Sequence, residues 1–502
     1  MFIVFRADAS TALGGGHVMR CLTLAGTLER LGWRCGFAVN AEAPGIAPAL
    51  TEKDLLVLSS AEKDAAALRH RWPSGADWLV VDHYERDAGW EAECRSWAKA
   101  ILVLDDLADR RHDCDVLLDQ TFGRGADDYA GLVPPGCRVL AGSDYALLRP
   151  AFAAARQSSL KRRSAGRLQR VLISLGATDP ENHSIDALRG IAASGLDVAV
   201  DVILGAAAPH AAAVRAEIAA MPQEGEVHVN ARDIPQLMSR ADIAVGAAGT
   251  STWERCCLGL PSLMVVIAQN QRLIAETVSS SGAARWIAGP RARLADQIAE
   301  ALCGLAANPN DLRNLSARSA EICDGRGCDR ASLALAVPGL AKDQRPVALR
   351  LAGAGDEETI LCWQRHPTTR RFSRNPKVPS VDEHHAWFSE RLADPECLLA
   401  IITLDGEAAG MLRLDPLHST GDSLQPPHCE VSILVDPERR GLGIALEALT
   451  FLRRWQGKAI IVAEVLEGNQ ASANLFRAAD YQPGSDGLLY SYPMPSAKTL
   501  GY

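Results

Sequence analysis

The chain has 502 residues, enough for roughly three domains at about 150 residues each. Its 52 basic and 61 acidic side chains are well mixed, the net charge is −9, and no basic stripe carries interleaved aromatics, which argues against a nucleic-acid surface. Apolar residues make up 48%, ample for several cores, yet no apolar run approaches the roughly 18 residues that would cross a membrane.

The first 150 residues alternate short apolar runs with helical patterns. "MFIVFRAD" reads as a strand and residues 17–32 as a helix. The stretches at 34–39, 78–84, 100–107 and 116–121 follow as strands. Strand and helix in alternation predict a parallel sheet covered on both faces. The basic, serine-rich stretch "ARQSSLKRRSAGRLQ" (155–169) reads as a linker. A second set of the same kind includes "RVLISLGATDP", "VAVDVILG" (198–205) and "ADIAVGAAGTSTWE" (241–254), and fades near residue 335. "AVPGLAKDQRP" (336–346) reads as a second linker.

The remainder differs. "VALRLAG" reads as a strand, "EETILCWQRH" as a helix, and "CLLAIITLDGEAAGMLRLDP" as a hairpin turning at Asp405-Gly406. "CEVSILVDP" is a strand, "ERRGLGIALEALTFLRRW" a loop entering a helix, "KAIIVAEVL" a strand and "NQASANLFRAADY" a helix. The predicted domains are 1–154, 168–335 and 346–495, an α/β chain of two Rossmann-like domains and a mixed-sheet domain. Thirteen scattered cysteines without a CxxC pair suit a reducing cytoplasm better than a disulfide framework. The vicinal Cys256-Cys257 reads as small buried residues. The opening apolar run is too short for a signal peptide.

Loops after parallel strands gather at the C-terminal edge of a sheet, where ligands bind. "RADASTALGGGHVMR" is such a loop. The helix opening at Gly16-His17 offers unpaired N–H groups and a partial positive end, which favour an anion and disfavour an imidazolium. That fits His17 for general-base work, although a bound phosphate opposes the effect. Taken alone, GGGH reads first as a helix cap with a buried histidine. "GAAGTSTWERCCLGLPSLMVVIAQNQ" (246–271) places a Gly249-Thr250-Ser251-Thr252 loop ahead of a helix carrying Glu254. Such a loop holds a diphosphate on N–H groups while the glutamate accepts from ribose hydroxyls; the plainer reading of Glu254 is a solvated helix acid. The His112-Asp113-Asp115 cluster shows no tight ligand set, and no metal is expected.

In "RADAS…GGGHVMR", "VVDHY", "DDLADRRHDCD", "YALLRPAF", "SLGATDPEN" and "GTSTWERCCLGLPS…NQ", taken in order, residues 1 to about 335 resemble the UDP-sugar hydrolases of pseudaminic acid biosynthesis, of the glycosyltransferase-B structural group. The resemblance implies release of UDP from UDP-2,4-diacetamido-2,4,6-trideoxy-β-L-altrose. It implies His17 as the base that activates water. Glu254 and the Gly249–Thr252 loop become the UDP site, with Arg6, Asp8, Gly16 and Arg20 as first-strand and helix partners. Asn270 and Gln271 face the sugar or the nucleotide. Ala177 stands where a second glycine is common.

In "SILVDPERRGLGIALEAL" the strand ends at Val435, and Arg440, Gly443 and Ala445 fit R-x-x-G-x-A, with Gly441 also small. Small residues let N–H groups turn inward ahead of a helix, a pyrophosphate cradle. Residues 346–495 resemble GNAT acetyltransferases, most closely those that acetylate UDP-4-amino sugars, which implies acetyl-CoA at this loop with Asn469 and Ser472 of the late helix. Where the family has a tyrosine that protonates the CoA thiolate, this chain has Phe476; Tyr481 or water would have to take its place. Glu430 is a candidate to deprotonate the acceptor amine through water, or else an exposed strand acid. His384 and His385 either line the sugar pocket or begin a surface helix. A bifunctional UDP-sugar enzyme is the leading expectation. A glycosyltransferase fused to an acyltransferase and a decayed sugar-nucleotide-binding regulator are the alternatives.

Overall fold

The structure is a computed structural model and describes residues 1–10, 13–59, 64–417 and 426–493. It divides into two compact units, Met1–Ala25 with Cys35–Cys328, and Gly26–Arg34 with Asp329–Tyr502.

The first unit holds two parallel sheets. One comprises β1 (Phe2–Ala7), β2 (Arg34–Asn40), β3 (Asp54–Leu58), β4 (Ala76–Asp82), β5 (Ala98–Leu104), β6 (Val116–Asp119) and β7 (Arg138–Ala141), in the order β3-β2-β1-β4-β5-β6-β7. The other comprises β8 (Arg170–Ser174), β9 (Ala199–Leu204), β10 (Gly225–Val229), β11 (Ile243–Ala247), β12 (Ser262–Val265) and β13 (Arg285–Trp286), in the order β10-β9-β8-β11-β12-β13. Both are Rossmann-like. Their strand order reverses once, between β1 and β4 and between β8 and β11, and each reversal opens a crevice at the C-terminal strand edge. Central strands are apolar throughout because both faces are covered. Val171, Ile173, Val200, Val202 and Val245 pack against Leu188, Ile191, Ile298 and Leu302 of the flanking helices.

Two readings of the sequence need correction. Residues 155–169 are not simply a linker, because the helix Pro150–Arg163 occupies most of them. Its arginines bind the fold from within. Arg156 donates to the carbonyls of Cys257, Cys323 and Ala320, and the buried Arg163 donates to those of Leu258, Met238 and Ala241. The second stretch, 336–346, contributes a short strand, β14 (Gly339–Leu340), paired antiparallel with β15 (Pro346–Leu351). Strands β3, β7, β10, β12 and β13 were not singled out in the sequence.

The second unit carries an eight-stranded mixed sheet. After β14 and β15 come β16 (Leu398–Leu404), β17 (Glu407–Pro416), β18 (His428–Val435), β19 (Ile460–Ala463), β20 (Gln482–Pro483) and β21 (Leu489–Ser491), in the order β14-β15-β16-β17-β18-β19-β21-β20. The hairpin turn is where Asp405-Gly406 placed it, both residues having positive φ, 53° and 82°. Strand β18 pairs antiparallel with β17 over its full length but parallel with β19 only at His428, Cys429 and Glu430. Beyond Glu430 the two strands part. Among the described residues no helix is long and apolar enough to cross a membrane.

Candidate functional sites

The β1–β4 crevice gathers the first set of residues. His17, in the first turn of the helix Gly16–Arg30, is nearly buried, with Nδ1 2.5 Å from Asp82 Oδ1 at the end of β4. An ionised carboxylate only accepts, so Nδ1 carries the hydrogen and the lone pair of the neutral ring lies on Nε2. Among the described residues Nε2 meets no partner. Arg20, one turn further along the helix, donates to both oxygens of Asp82 at 2.6 Å and to Asp106 Oδ2 at 3.1 Å. Burial pushes the Asp82 carboxyl up, but the Arg20 charge and the hydrogen bonds from Arg20 and His17 outweigh it and hold it well below the usual carboxylate range. The Tyr84 ring meets the His17 ring edge-on at 4.6 Å, and burial, reinforced by the Asp106 charge, pushes its hydroxyl up to about 12.

Arg6 and Asp8 lie beside this set. Arg6 bonds Asp8 and, at 2.8 Å, Asp64; Asp8 also accepts from the Asn40 N–H at 2.8 Å and contacts His83 Nε2 at 2.9 Å. Burial acts to raise Asp8, yet His83 and Arg6 hold it far below its ordinary range. Both side chains are therefore engaged with the protein and brace the loop. Gly16 has open space where a Cβ would stand.

The β8–β11 crevice holds the second set. Gly249 and Thr250 follow β11, and Thr250 stands just ahead of the helix Ser251–Cys257 without a side-chain capping bond. Ser251 and Thr252 turn their hydroxyls inward to Arg255, which donates to them at 3.0 and 3.1 Å, to Ser262 Oγ at 3.0 Å and to the Ala247 carbonyl at 2.8 Å. Arg255 is fully buried and bonded to neutral acceptors, and burial lowers its pKa to about 10. Its place beneath the loop was not read from the sequence, where it is one more helical arginine. Glu254 is part-buried; desolvation raises its carboxyl to about 7 despite the nearby Arg149 and Arg255 charges. No hydrogen-bond partner reaches it among the described residues. Gln271 sits alongside, its Oε1 accepting from the Ile267 N–H at 3.1 Å and its Nε2 3.6 Å from where a Gly249 Cβ would stand. Asn270 is exposed.

Of the His112-Asp113-Asp115 cluster, His112 Nδ1 meets Glu91 at 2.7 Å while Arg95 pairs both aspartates. Among the described residues one group has metal-ligand spacing, Asp201, Glu226 and His228. Asp201 there already contacts His228 at 2.7 Å and accepts from Arg170 at 2.9 Å.

In the second unit, Gly441 and Gly443 adopt φ of 85° and 84°, a conformation that turns the backbone ahead of the helix Ile444–Trp455 and strains other residues. Ala445 lies in its first turn, and Arg440 donates to Thr368 Oγ1 at 2.7 Å. Lys342, not singled out from the sequence, donates from Nζ to the Gly441 carbonyl at 3.0 Å. Asn469 caps the helix Gln470–Ala478 by accepting from the Ser472 N–H at 3.2 Å. Phe476 and Tyr481 are buried edge to face, 5.0 Å apart, and among the described residues the Tyr481 hydroxyl has no hydrogen-bond partner. Burial holds that hydroxyl above its ordinary range. Glu430 is bound by Arg374, which also bonds Glu464. His384 is a core residue, its ring contacting Gln364 Oε1 and the Glu357 carbonyl, whereas His385 is exposed and pairs with Glu357 Oε1.

Residues 347–482 match the family model for an acetyltransferase (GNAT) domain. The spore coat polysaccharide biosynthesis protein SpsG of Bacillus subtilis is 32% identical over 298 residues, 57% of this chain and 83% of that protein. The UDP-2,4-diacetamido-2,4,6-trideoxy-beta-L-altropyranose hydrolase of Campylobacter jejuni is 28% identical over 190 residues, 37% of this chain and 64% of that protein. An uncharacterized protein of Methanocaldococcus jannaschii aligns over 97% of this chain and 98% of its own length at 18% identity. The chain thus belongs to the family of the spore coat polysaccharide biosynthesis protein SpsG and carries a GNAT acetyltransferase domain in the same polypeptide.

Proposed function

We propose that the chain is a bifunctional UDP-sugar enzyme of pseudaminic acid biosynthesis. Its GNAT domain transfers acetyl from acetyl-CoA to the 4-amino group of a UDP-linked 2-acetamido-2,4,6-trideoxy sugar. The two Rossmann-like domains then hydrolyse UDP-2,4-diacetamido-2,4,6-trideoxy-β-L-altrose to UDP and free sugar. The observation that carries the hydrolase reading is the His17–Asp82 pair at the β1–β4 crevice, with Nε2 unoccupied. The identity shared with a relative named for that hydrolysis supports it.

In this reading His17 Nε2 takes a proton from water as the water oxygen bonds to the anomeric carbon. The bond from that carbon to the diphosphate oxygen breaks, and UDP leaves with the electron pair. Asp82 fixes the tautomer and offsets the imidazolium charge as it forms. The Gly249–Thr252 loop receives the diphosphate on N–H groups, and the buried Arg255 beneath it adds positive charge that no bonded carboxylate cancels. Glu254 accepts from ribose hydroxyls, and Asn270 and Gln271 complete the rim.

In the GNAT domain the turn at Arg440, Gly441, Gly443 and Ala445 suits a pyrophosphate, and the edge of β18 left free beyond Glu430 suits the extended arm of acetyl-CoA. The acceptor amine attacks the thioester carbonyl and CoA leaves as the thiolate. Phe476 has no proton to give and Tyr481 is buried, so the thiolate takes its proton from water.

The test supplies the 4-amino UDP-sugar with acetyl-CoA and follows products by mass spectrometry. Free thiol, UDP and the diacetamido sugar are expected together. His17→Asn should abolish UDP release while leaving UDP binding intact. UDP release that requires a sugar acceptor would make the first activity a glycosyl transfer, and near-normal turnover of His17→Asn would remove that residue from catalysis.

A further inference from the structure

Cys114 and Cys137 stand side by side where β6 and β7 enter the first sheet, their sulfurs 3.6 Å apart. The two strands pair in parallel from Val116 and Arg138 onward, and each cysteine lies just ahead of its strand. The backbone around both is fixed. The Asp115 N–H donates to the Ile101 carbonyl, the Arg138 N–H to the Asp115 carbonyl and the Cys137 N–H to the Pro134 carbonyl, each at 2.9 Å. Sulfurs already in contact need to close by only about 1.5 Å to reach bonding distance, a movement that side-chain rotation supplies. The pair sits at the N-terminal ends of its strands, on the edge of the sheet opposite the one that carries His17 and Asp82, so the hydrolytic residues do not account for it.

The two thiols are unequal. Cys114 is buried, whereas Cys137 is half-buried and reached by solvent. The Cys114 S–H donates to Cys137 Sγ, which favours the Cys137 thiolate and holds that thiol below its ordinary range. Burial and the Asp115 charge oppose this, and the Arg138 charge adds to it. The same bond, reinforced by burial, pushes the Cys114 thiol far up, so Cys114 keeps its hydrogen. A nucleophilic sulfur open to solvent thus stands against a protonated sulfur behind it. That is the arrangement in which a first oxidation can be resolved within the chain. Cys303 and Cys362 are more exposed, but Cys303 faces the Ser194 carbonyl and no second sulfur is recorded against either among the described residues.

We infer that Cys137 and Cys114 form a modification site that takes a hydroperoxide, hydrogen peroxide in the simplest case, and closes to a disulfide. The Cys137 thiolate attacks one peroxide oxygen and the O–O bond breaks. Cys137 becomes a sulfenic acid, and hydroxide leaves with the electron pair and takes up the proton that Cys137 had lost, as water. Cys114 then attacks the Cys137 sulfur, the S–O bond breaks, and the departing hydroxide leaves as water with the Cys114 proton. Two thiols and one peroxide give one disulfide and two waters; the sulfurs are oxidised and the peroxide oxygens reduced. The new bond joins residues 23 positions apart and encloses β6, which restrains the unfolded chain. It also ends the oxidation at a reversible stage, short of sulfinic acid.

The experiment exposes the reduced full chain to about one equivalent of hydrogen peroxide, blocks remaining thiols by alkylation and maps the peptides by mass spectrometry. A Cys114–Cys137 linkage, lighter by two hydrogens, should form about tenfold faster than any oxidation of Cys303 or Cys362, and dithiothreitol should reverse it. The oxidised chain should melt about 5 °C above the reduced one. In Cys114→Ser, Cys137 should stop at the sulfenic acid, trapped by dimedone; in Cys137→Ser, Cys114 should stay a thiol. Oxidation of Cys303 or Cys362 with the pair still reduced would overturn the site. Dimedone capture at Cys114 in Cys137→Ser would overturn the assignment of Cys137 as the attacking sulfur. Closure of the pair by glutathione disulfide but not by peroxide would overturn the hydroperoxide as its oxidant, and an unchanged or lower melting temperature would overturn the restraint on the unfolded chain.

Discussion

Asp82 is bonded to His17 and Arg20 at once, so a change there tests whether orientation or charge matters at the ring. Asp82→Asn keeps an oxygen within reach of His17 Nδ1 but removes the charge that would offset an imidazolium. In the proposed hydrolysis kcat should fall by about 100-fold or more, while KM for the UDP-sugar changes little, because Asp82 meets the histidine and not the substrate. Arg20 retains Asp106, so its charge is not stranded. A parallel rise in KM would point to a collapsed loop instead. Glu254 gives a second test at this scale. Its carboxyl, raised to about 7, titrates within a convenient range. The ionised form is the better acceptor for ribose hydroxyls, so UDP affinity should fall as pH drops below about 7, and Glu254→Gln should flatten that dependence. Stability of the ligand-free chain runs the other way. Below the unfolded carboxyl value both states are protonated. As pH rises through the folded value, the unfolded chain has already lost its proton and gains relative stability. Glu254→Gln should therefore stabilise the free protein at pH 8 by about 2 kcal/mol, read by chemical denaturation.

The segment from β11 into the helix Ser251–Cys257 behaves as one piece because Arg255 ties its parts together. Gly246 makes room for that guanidinium: a Cβ there would stand 2.7 Å from Arg255 Cζ. Gly246→Ala should push Arg255 away from the Ser251 and Thr252 hydroxyls and weaken UDP binding by about tenfold, although residue 246 touches no ligand; isothermal titration reads the loss. The same elements show what the sequence could and could not disclose. Alternation of apolar runs with helical periods disclosed both Rossmann-like domains, and Asp405-Gly406 disclosed its hairpin because a two-residue turn needs positive φ at both positions. The helix Pro150–Arg163 stayed hidden because its inward face, Phe152, Ser159 and Arg163, is mostly polar: Arg163 reads as a linker cation, yet it is buried against backbone carbonyls. His17 was legible as a residue at a strand-to-helix loop. Asp82 was not legible as its partner, since 65 residues separate them and only the β1–β4 pairing brings their loops together. Arg255 was hidden for the same reason, because its importance lies in what surrounds it and not in spacing.

At the scale of the whole chain, the two proposed reactions fit end to end, since the N-acetylated UDP-sugar made by one is the substrate of the other. Their order follows from chemistry. If the hydrolase site requires the 4-acetamido group, UDP cannot leave before acetyl transfer, so UDP release must lag thiol release when the chain starts from the 4-amino UDP-sugar and acetyl-CoA. His17→Asn should then stop the sequence midway, accumulating the diacetamido UDP-sugar with one equivalent of free thiol per molecule and no UDP. Gly443→Val, at a φ of 84° that a β-branched residue resists, should block the sequence earlier, with neither thiol nor UDP released from the 4-amino sugar. Supplied with the diacetamido UDP-sugar, that same variant should release UDP at the normal rate, because its lesion lies in the turn ahead of Ile444–Trp455 and the hydrolytic residues belong to the other unit. Time courses of thiol and UDP read on one sample decide the order: UDP appearing from the 4-amino sugar without acetyl-CoA would show that the hydrolase site does not wait for the acetyl group, and the two activities would then be parallel rather than consecutive.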